Sequence, residues 1–105
     1  MQKLNILVAG STGYIGTELI KLLVNHRGVN IKYLCGNTSI GKSISSYDPS
    51  LKNKNLPKII KFNEKLLRNV DVVFSALPNG EAQKIAKSIP KHILLIDFDY
   101  LLILI

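Results

Sequence analysis

Residues 4–16 read LNILVAGSTGYIG, an apolar run that stops at a glycine and gives way to a different periodicity. Leu4–Ala9 is short, rich in strand formers and apolar without alternation, as expected of a strand covered on both faces of a parallel sheet. Ile15, Leu19, Ile20, Leu22 and Leu23 then recur at helical spacing, with Glu18, Lys21 and Asn25 off that face and Gly28 as the predicted terminator. Gly10-x-x-Gly13-x-x-Gly16 lies between the two. Gly10 lets the chain leave the strand in a tight turn, Gly13 lets the backbone approach a pyrophosphate, and Gly16 lets helix and strand pack closely. The loop N–H groups and the helix start then face an anion, with Ser11 and Thr12 adding hydroxyl donors. A strand before and a helix after are the context this motif requires, so the segment predicts dinucleotide binding.

Working outward, the same alternation continues. Val29–Cys35 alternates as a second strand, and the polar stretch 36–55 reads as an irregular excursion. Lys58–Phe62 is a short third strand, and Asn63 caps a short helix through Arg68. Val70–Leu77 is the clearest strand after the first. Pro78-Asn79-Gly80 breaks it, a helix over Glu81–Ile89 ends before Pro90, and Ile93–Ile96 is a fifth strand. Strands alternating with helices predict an α/β fold: a Rossmann-like, doubly wound parallel sheet of about five strands, incomplete relative to the full double unit.

Composition bounds the function classes. The chain has 105 residues, a formal charge of +7, 47% hydrophobic and 20% charged residues, which is a globular balance and room for one domain. A single cysteine excludes a disulfide framework and a cysteine-rich zinc site; no metal site is expected. The apolar run at the N-terminus is too short for a secretory signal, and no stretch of about 20 apolar residues predicts a membrane span, so a cytoplasmic protein is expected. Lys52, Lys54, Lys58, Lys61 and Lys65 form a basic run with Glu64 as its one acid. No aromatic residues interleave it as stacking platforms, so it reads as solvated loop surface and no nucleic-acid partner is expected.

The residues after the second strand bear on the ribose. An NAD site places an acid there to bind the 2′-hydroxyl. Here Cys35-Gly36-Asn37-Thr38-Ser39 is followed by Gly41-Lys42, and no acid lies between Glu18 and Asp48. Amides, hydroxyls and a cation suit the 2′-phosphate of NADP, which a carboxylate repels. Asn79, after the fourth strand, either faces the nicotinamide half or belongs to an ordinary turn; the sequence leaves both open.

VAGSTGYIGTELIKLLVNH, Gly41-Lys42 and DVVFSALPNGEAQKIA together resemble the N-terminal cofactor domain of N-acetyl-gamma-glutamyl-phosphate reductase. The Gly13-Tyr14 pair and the Leu77–Gly80 turn carry most of that specificity, over about residues 3–97. The resemblance implies an NADPH-dependent, phosphorylating aldehyde dehydrogenase of arginine biosynthesis. In that family a cysteine thiolate forms a thioester and a histidine assists. It also implies that Gly10, Ser11, Thr12, Gly13, Tyr14, Ile15 and Gly16 hold the pyrophosphate and that Thr38 and Lys42 lie near the 2′-phosphate. Leu77, Pro78, Asn79 and Gly80 fall on the nicotinamide side. A fragment of aspartate-semialdehyde dehydrogenase, which shares the glycine loop, and a non-catalytic dinucleotide-sensing module are the alternatives.

Three departures shape the functional expectation. The family has His where Asn79 stands. After Ile96-Asp97 the family's Ser-Asp-Phe-Arg segment is replaced by Phe98-Asp99-Tyr100 and five aliphatic residues, Leu101–Ile105, so residues 98–105 read as a truncation or frameshift tail of one 1–105 cofactor domain. Cys35 falls on the adenosine side, where a small buried apolar residue is expected rather than a nucleophile, and His26 and His92 have no partner in sequence. No catalytic residue is expected in this chain, and a homo-oligomer is expected only of a full-length family member.

Overall fold

The computed structural model describes residues 2–98. β1 (Leu4–Ala9) runs into α1 (Tyr14–Val24), which returns the chain to β2 (Val29–Cys35). Two short 3-10 turns, Ile44–Ser46 and Pro49–Leu51, precede β3 (Ile59–Ile60), and a third, Glu64–Asn69, precedes β4 (Val72–Ser75). α2 (Asn79–Ser88) and β5 (Leu94–Asp97) follow. The five strands form one sheet in the order β3-β2-β1-β4-β5, every pair parallel. β1 is therefore central, and the strand order reverses between β1 and β4, the place where doubly wound sheets open a crevice at the carboxyl ends of their strands.

β1 is apolar throughout its second half because both faces are covered. Ile6 and Val8 pack on one side with Leu19 and Ile20 of α1. Leu7 and Ala9 pack on the other, where Ile85 and Ile89 close the layer. The two helices thus take opposite faces, as the alternation of elements predicts.

Differences from the predicted elements have local causes. α1 ends at Val24, capped by Asn25, and not at Gly28; the Gly28 N–H instead donates to His26 Nδ1 at 2.9 Å in the turn into β2. Leu22 leaves the apolar face and is 75% exposed, while Gly16 and Thr17 join Leu19 and Ile20 on the buried side. The segment after Asn63 is a 3-10 turn, started as expected by Asn63 Oδ1 accepting from the Lys65 N–H at 2.9 Å. The stretch 36–55 is not a free excursion: Ile44 and Leu51 are buried in the α1-side core. The tail segment 99–105 lies outside the described residues.

An ion pair ties that stretch to α1. Lys21 Nζ lies 2.8 Å from Asp48 Oδ2 and 3.0 Å from Glu18 Oε1. Asp48 also accepts from the Ser50 N–H and hydroxyl at 3.0 and 2.7 Å. The Lys21 ammonium holds the Asp48 carboxyl below its ordinary value, and Asp48 in turn raises Lys21. A carboxyl depressed on folding stabilises the fold above its unfolded-state pKa, and that contribution disappears as pH falls through the folded value. Asp48→Asn keeps an acceptor for Ser50 and removes the charge. It is expected to melt below the parent at neutral pH and to converge with it in strong acid. A thermal-melt difference that does not change with pH counts against the ion pair as its source.

Candidate functional site

The turn after β1 is held by backbone bonds. The Gly10 and Ser11 N–H groups both donate to the Cys35 carbonyl at 3.1 Å, which fastens the turn to the end of β2. Ser11 is fully buried, and its hydroxyl donates inward to the Val8 carbonyl at 2.9 Å. Ser11 therefore shapes the turn instead of offering its hydroxyl to a ligand. Gly13 caps α1 without a side-chain bond, its carbonyl accepting from the Thr17 N–H at 2.9 Å. Tyr14, Ile15 and Gly16 open the helix, so their N–H groups have no intrahelical acceptor, and no acid stands in the first turn to offset the positive end of the dipole. Thr12 is half-buried beside them, and Tyr14 projects outward, 82% exposed.

The three glycines are not equivalent. Gly10 has φ +77°, and a Cβ there would come within 2.9 Å of the Ala76 backbone. The first turn therefore abuts the second one, after β4. A Cβ on Gly16 would overlap the Gly10 carbonyl oxygen and approach Ser11 to 3.0 Å. Both residues are glycine because of the chain's own packing. Gly13 differs: its φ is −73°, and its nearest neighbour to a Cβ, the Gly10 oxygen, is 3.6 Å away, an ordinary contact. No steric contact requires glycine at position 13. Beside it stand the Tyr14, Ile15 and Gly16 N–H groups, without an acceptor among the described residues, and helix starts of this kind bind anions.

A cleft of about 250 Å³ continues from this turn along the carboxyl ends of the strands. Ala9 and Gly10 form one end, Cys35, Gly36 and Asn37 its floor, and Lys61 and Phe62 the far wall. Leu77, Glu81, Lys84 and Ile85 close it from the α2 side. Of the predicted site residues the fold brings together Gly10–Gly16 and the Leu77–Gly80 turn. Pro78 caps α2, its carbonyl accepting from the Glu81 and Ala82 N–H groups at 3.0 Å. Gly80 is in open space. The Asn79 backbone opens α2, and its side chain lies outside the described part of the structure. Thr38 and Lys42 are exposed and do not line the cleft. The Lys42 carbonyl accepts from the Ile59 N–H at 2.9 Å, which ties that loop to β3.

Sequence reasoning missed Lys61, Phe62, Glu81, Lys84 and Ile85. The signal was present, because Phe62 follows the third strand and Glu81, Lys84 and Ile85 share one face of α2 at i, i+3, i+4. Lys61 was hidden inside a lysine run.

Neither the cysteine nor the histidines are placed as a nucleophile and base. Cys35 is buried, and burial pushes its thiol up to about 12, far from the thiolate a nucleophile requires. His26 and His92 are exposed, each in the turn before a strand and so at the sheet end away from the cleft. No group of three potential metal ligands occurs among the described residues, and no described helix is long and apolar enough to cross a membrane.

Comparison with known proteins agrees with this geometry. Residues 5–99 match the family described as semialdehyde dehydrogenase, NAD binding domain. The N-acetyl-gamma-glutamyl-phosphate reductase of Ehrlichia ruminantium (strain Gardel) is 42% identical over 90% of this chain, and that of Brachyspira hyodysenteriae is also 42% identical over 90%. The chain spans only 27% of the length of either relative. Among solved structures, aspartate semialdehyde dehydrogenase with NADP from Candida albicans superposes with a TM-score of 0.71 at 25% identity, covering 91% of this chain and 29% of that one.

Proposed function

This chain belongs to the family of semialdehyde dehydrogenase NAD-binding domains, and from that premise we propose that it is the NADP-binding portion of an N-acetyl-gamma-glutamyl-phosphate reductase. The observation that carries the binding role is Gly13: the one loop glycine that no steric contact requires, set beside the unpaired N–H groups of Tyr14, Ile15 and Gly16. Those groups fit a pyrophosphate and the cleft, which Leu77 lines, fits the adenosine half; that leaves Pro78, Asn79 and Gly80 of the turn for the nicotinamide side. The bound dinucleotide supplies hydride transfer; this chain's residues bind and orient it. The absence of an acid after β2 favours NADP over NAD. Reductases at 42% identity favour this reading over aspartate-semialdehyde dehydrogenase, whose likeness is 25%.

Residues 1–105 act on this reading as one cofactor domain, in the cytoplasm, with a small-molecule ligand and no nucleic acid. The only cysteine is buried and not ionised, so the acyl chemistry of a phosphorylating dehydrogenase lies outside this chain. Calorimetric titration of the folded chain is expected to show NADPH binding tighter than NADH by about 10-fold or more, the increment of at least one charge-assisted contact. N-acetyl-glutamyl phosphate added with NADPH is expected to give no turnover. A folded chain that binds neither nucleotide sinks the proposal.

A further inference from the structure

The cleft contains a charge arrangement that the position after β2 does not supply. Lys61 lies just beyond β3 and Lys84 on α2, and both line the same cleft. Neither has an ion-pair partner among the described residues. Glu81 is the one acid in the lining, against these two ammonium groups. Phe62, Leu77 and Ile85, all half-buried, supply an apolar surface between them. The cleft begins at Ala9 and Gly10, so a dinucleotide seated on the glycine turn has one half within it.

We propose that Lys61 and Lys84 select a 2′-phosphorylated adenosine, with Phe62 and Ile85 packing against its base. The inference rests on the reading of the chain as a dinucleotide-binding domain and assigns the phosphate selectivity to residues outside the loop after β2. A flat base buries both faces on apolar side chains, and aromatic contact adds to that burial. A 2′-phosphate carries close to two negative charges and needs cations; a 2′-hydroxyl does not. Thr38 and Lys42, at the usual position, stand outside the lining. Asn37 supplies only an amide there. Lys61, just after β3, and Lys84, on α2, line the same cleft and bring two positive charges to it.

The test compares Lys61→Gln, Lys84→Gln and the double variant with Lys42→Gln and Lys87→Gln. Lys87 lines only the neighbouring cleft. All four positions are exposed, so circular dichroism is expected to show parental folding. Each cleft variant is expected to raise the NADPH dissociation constant about 10-fold and to leave NADH within a factor of about two, as loss of one charge-assisted bond predicts. The controls are expected to leave both nucleotides unchanged. Parental NADPH preference in the double variant overturns the assignment and leaves the dinucleotide reading intact, as does loss confined to Lys42→Gln. Equal weakening of NADPH and NADH also overturns the assignment, since it shows general attraction and no phosphate selectivity. A folded parent that binds neither nucleotide removes both.

Discussion

Gly13→Ala is expected to keep its stability and lose the nucleotide, and Gly16→Ala is expected to lose much of its stability. The two residues are three apart on one motif, yet their surroundings differ. At Gly13 a new Cβ meets only the Gly10 oxygen at 3.6 Å, with the backbone already at φ −73°. Alanine is a poorer helix cap than glycine, by about 0.5–1 kcal/mol. It also narrows the unfolded ensemble by a similar amount. The two nearly cancel, so the melting temperature should move little. A methyl beside the unpaired N–H groups is nevertheless expected to keep a pyrophosphate from reaching them. Losing those bonds is expected to weaken NADPH binding about 100-fold, as removal of one or two charge-assisted hydrogen bonds does. At Gly16 the methyl overlaps the Gly10 carbonyl oxygen, so α1 must move away from β1. Overpacking of this kind costs about 3 kcal/mol, a large part of a small domain's stability. Thermal melts and titration of the two variants check both halves. Parental binding by Gly13→Ala, or a parental melt of Gly16→Ala, contradicts this division of labour.

The sequence motif already separates the three glycines by task, and the packing adds a steric reason within the fold for Gly10 and Gly16. Parallel strands and their order were legible because apolar runs alternate with helical periodicity, and because the turn at Gly10 punctuates them sharply. Two features were not legible, for physical reasons. Val29–Cys35 alternates in sequence, which puts Ile31, Tyr33 and Cys35 on one face. The register against β1 slips between Ile6 and Leu7, so that Ile6 pairs with Ile31 and Leu7 with Tyr33. Ile31 then joins the α1-side core while Tyr33 and Cys35 join the other. A bulge changes face without changing composition, and no single-strand pattern reports it. The cleft is the second case. Its walls come from the residues just after β3 and from α2, which are distant in sequence and reach one cleft only through the parallel sheet that puts the carboxyl ends of its strands on one side. Lys61 looks like its neighbours in the lysine run until that order is known.

The helix face gives the second large effect, and it separates apolar residues that a list of leucines and isoleucines treats together. Ile20 is fully buried against Ile6 and Val8. Leu22, two positions later, has turned about 200° around the helix and is 75% exposed. The buried arc runs through Gly16, Thr17, Leu19 and Ile20, because close approach at Gly16 brings that side of α1 onto the sheet. Ile20→Ala removes methyl groups from a space that the rigid sheet cannot collapse to fill, and is expected to cost about 2–5 kcal/mol. Leu22→Lys replaces an exposed side chain on a helix surface and should stay within about 0.5 kcal/mol of the parent. Chemical denaturation of the two variants measures the difference directly. If Leu22→Lys destabilises the chain as much as Ile20→Ala, then Leu22 is covered in solution and the helix has a second buried face. If both are neutral, α1 is not held against β1 as described, and the close packing assigned to Gly16 fails with it.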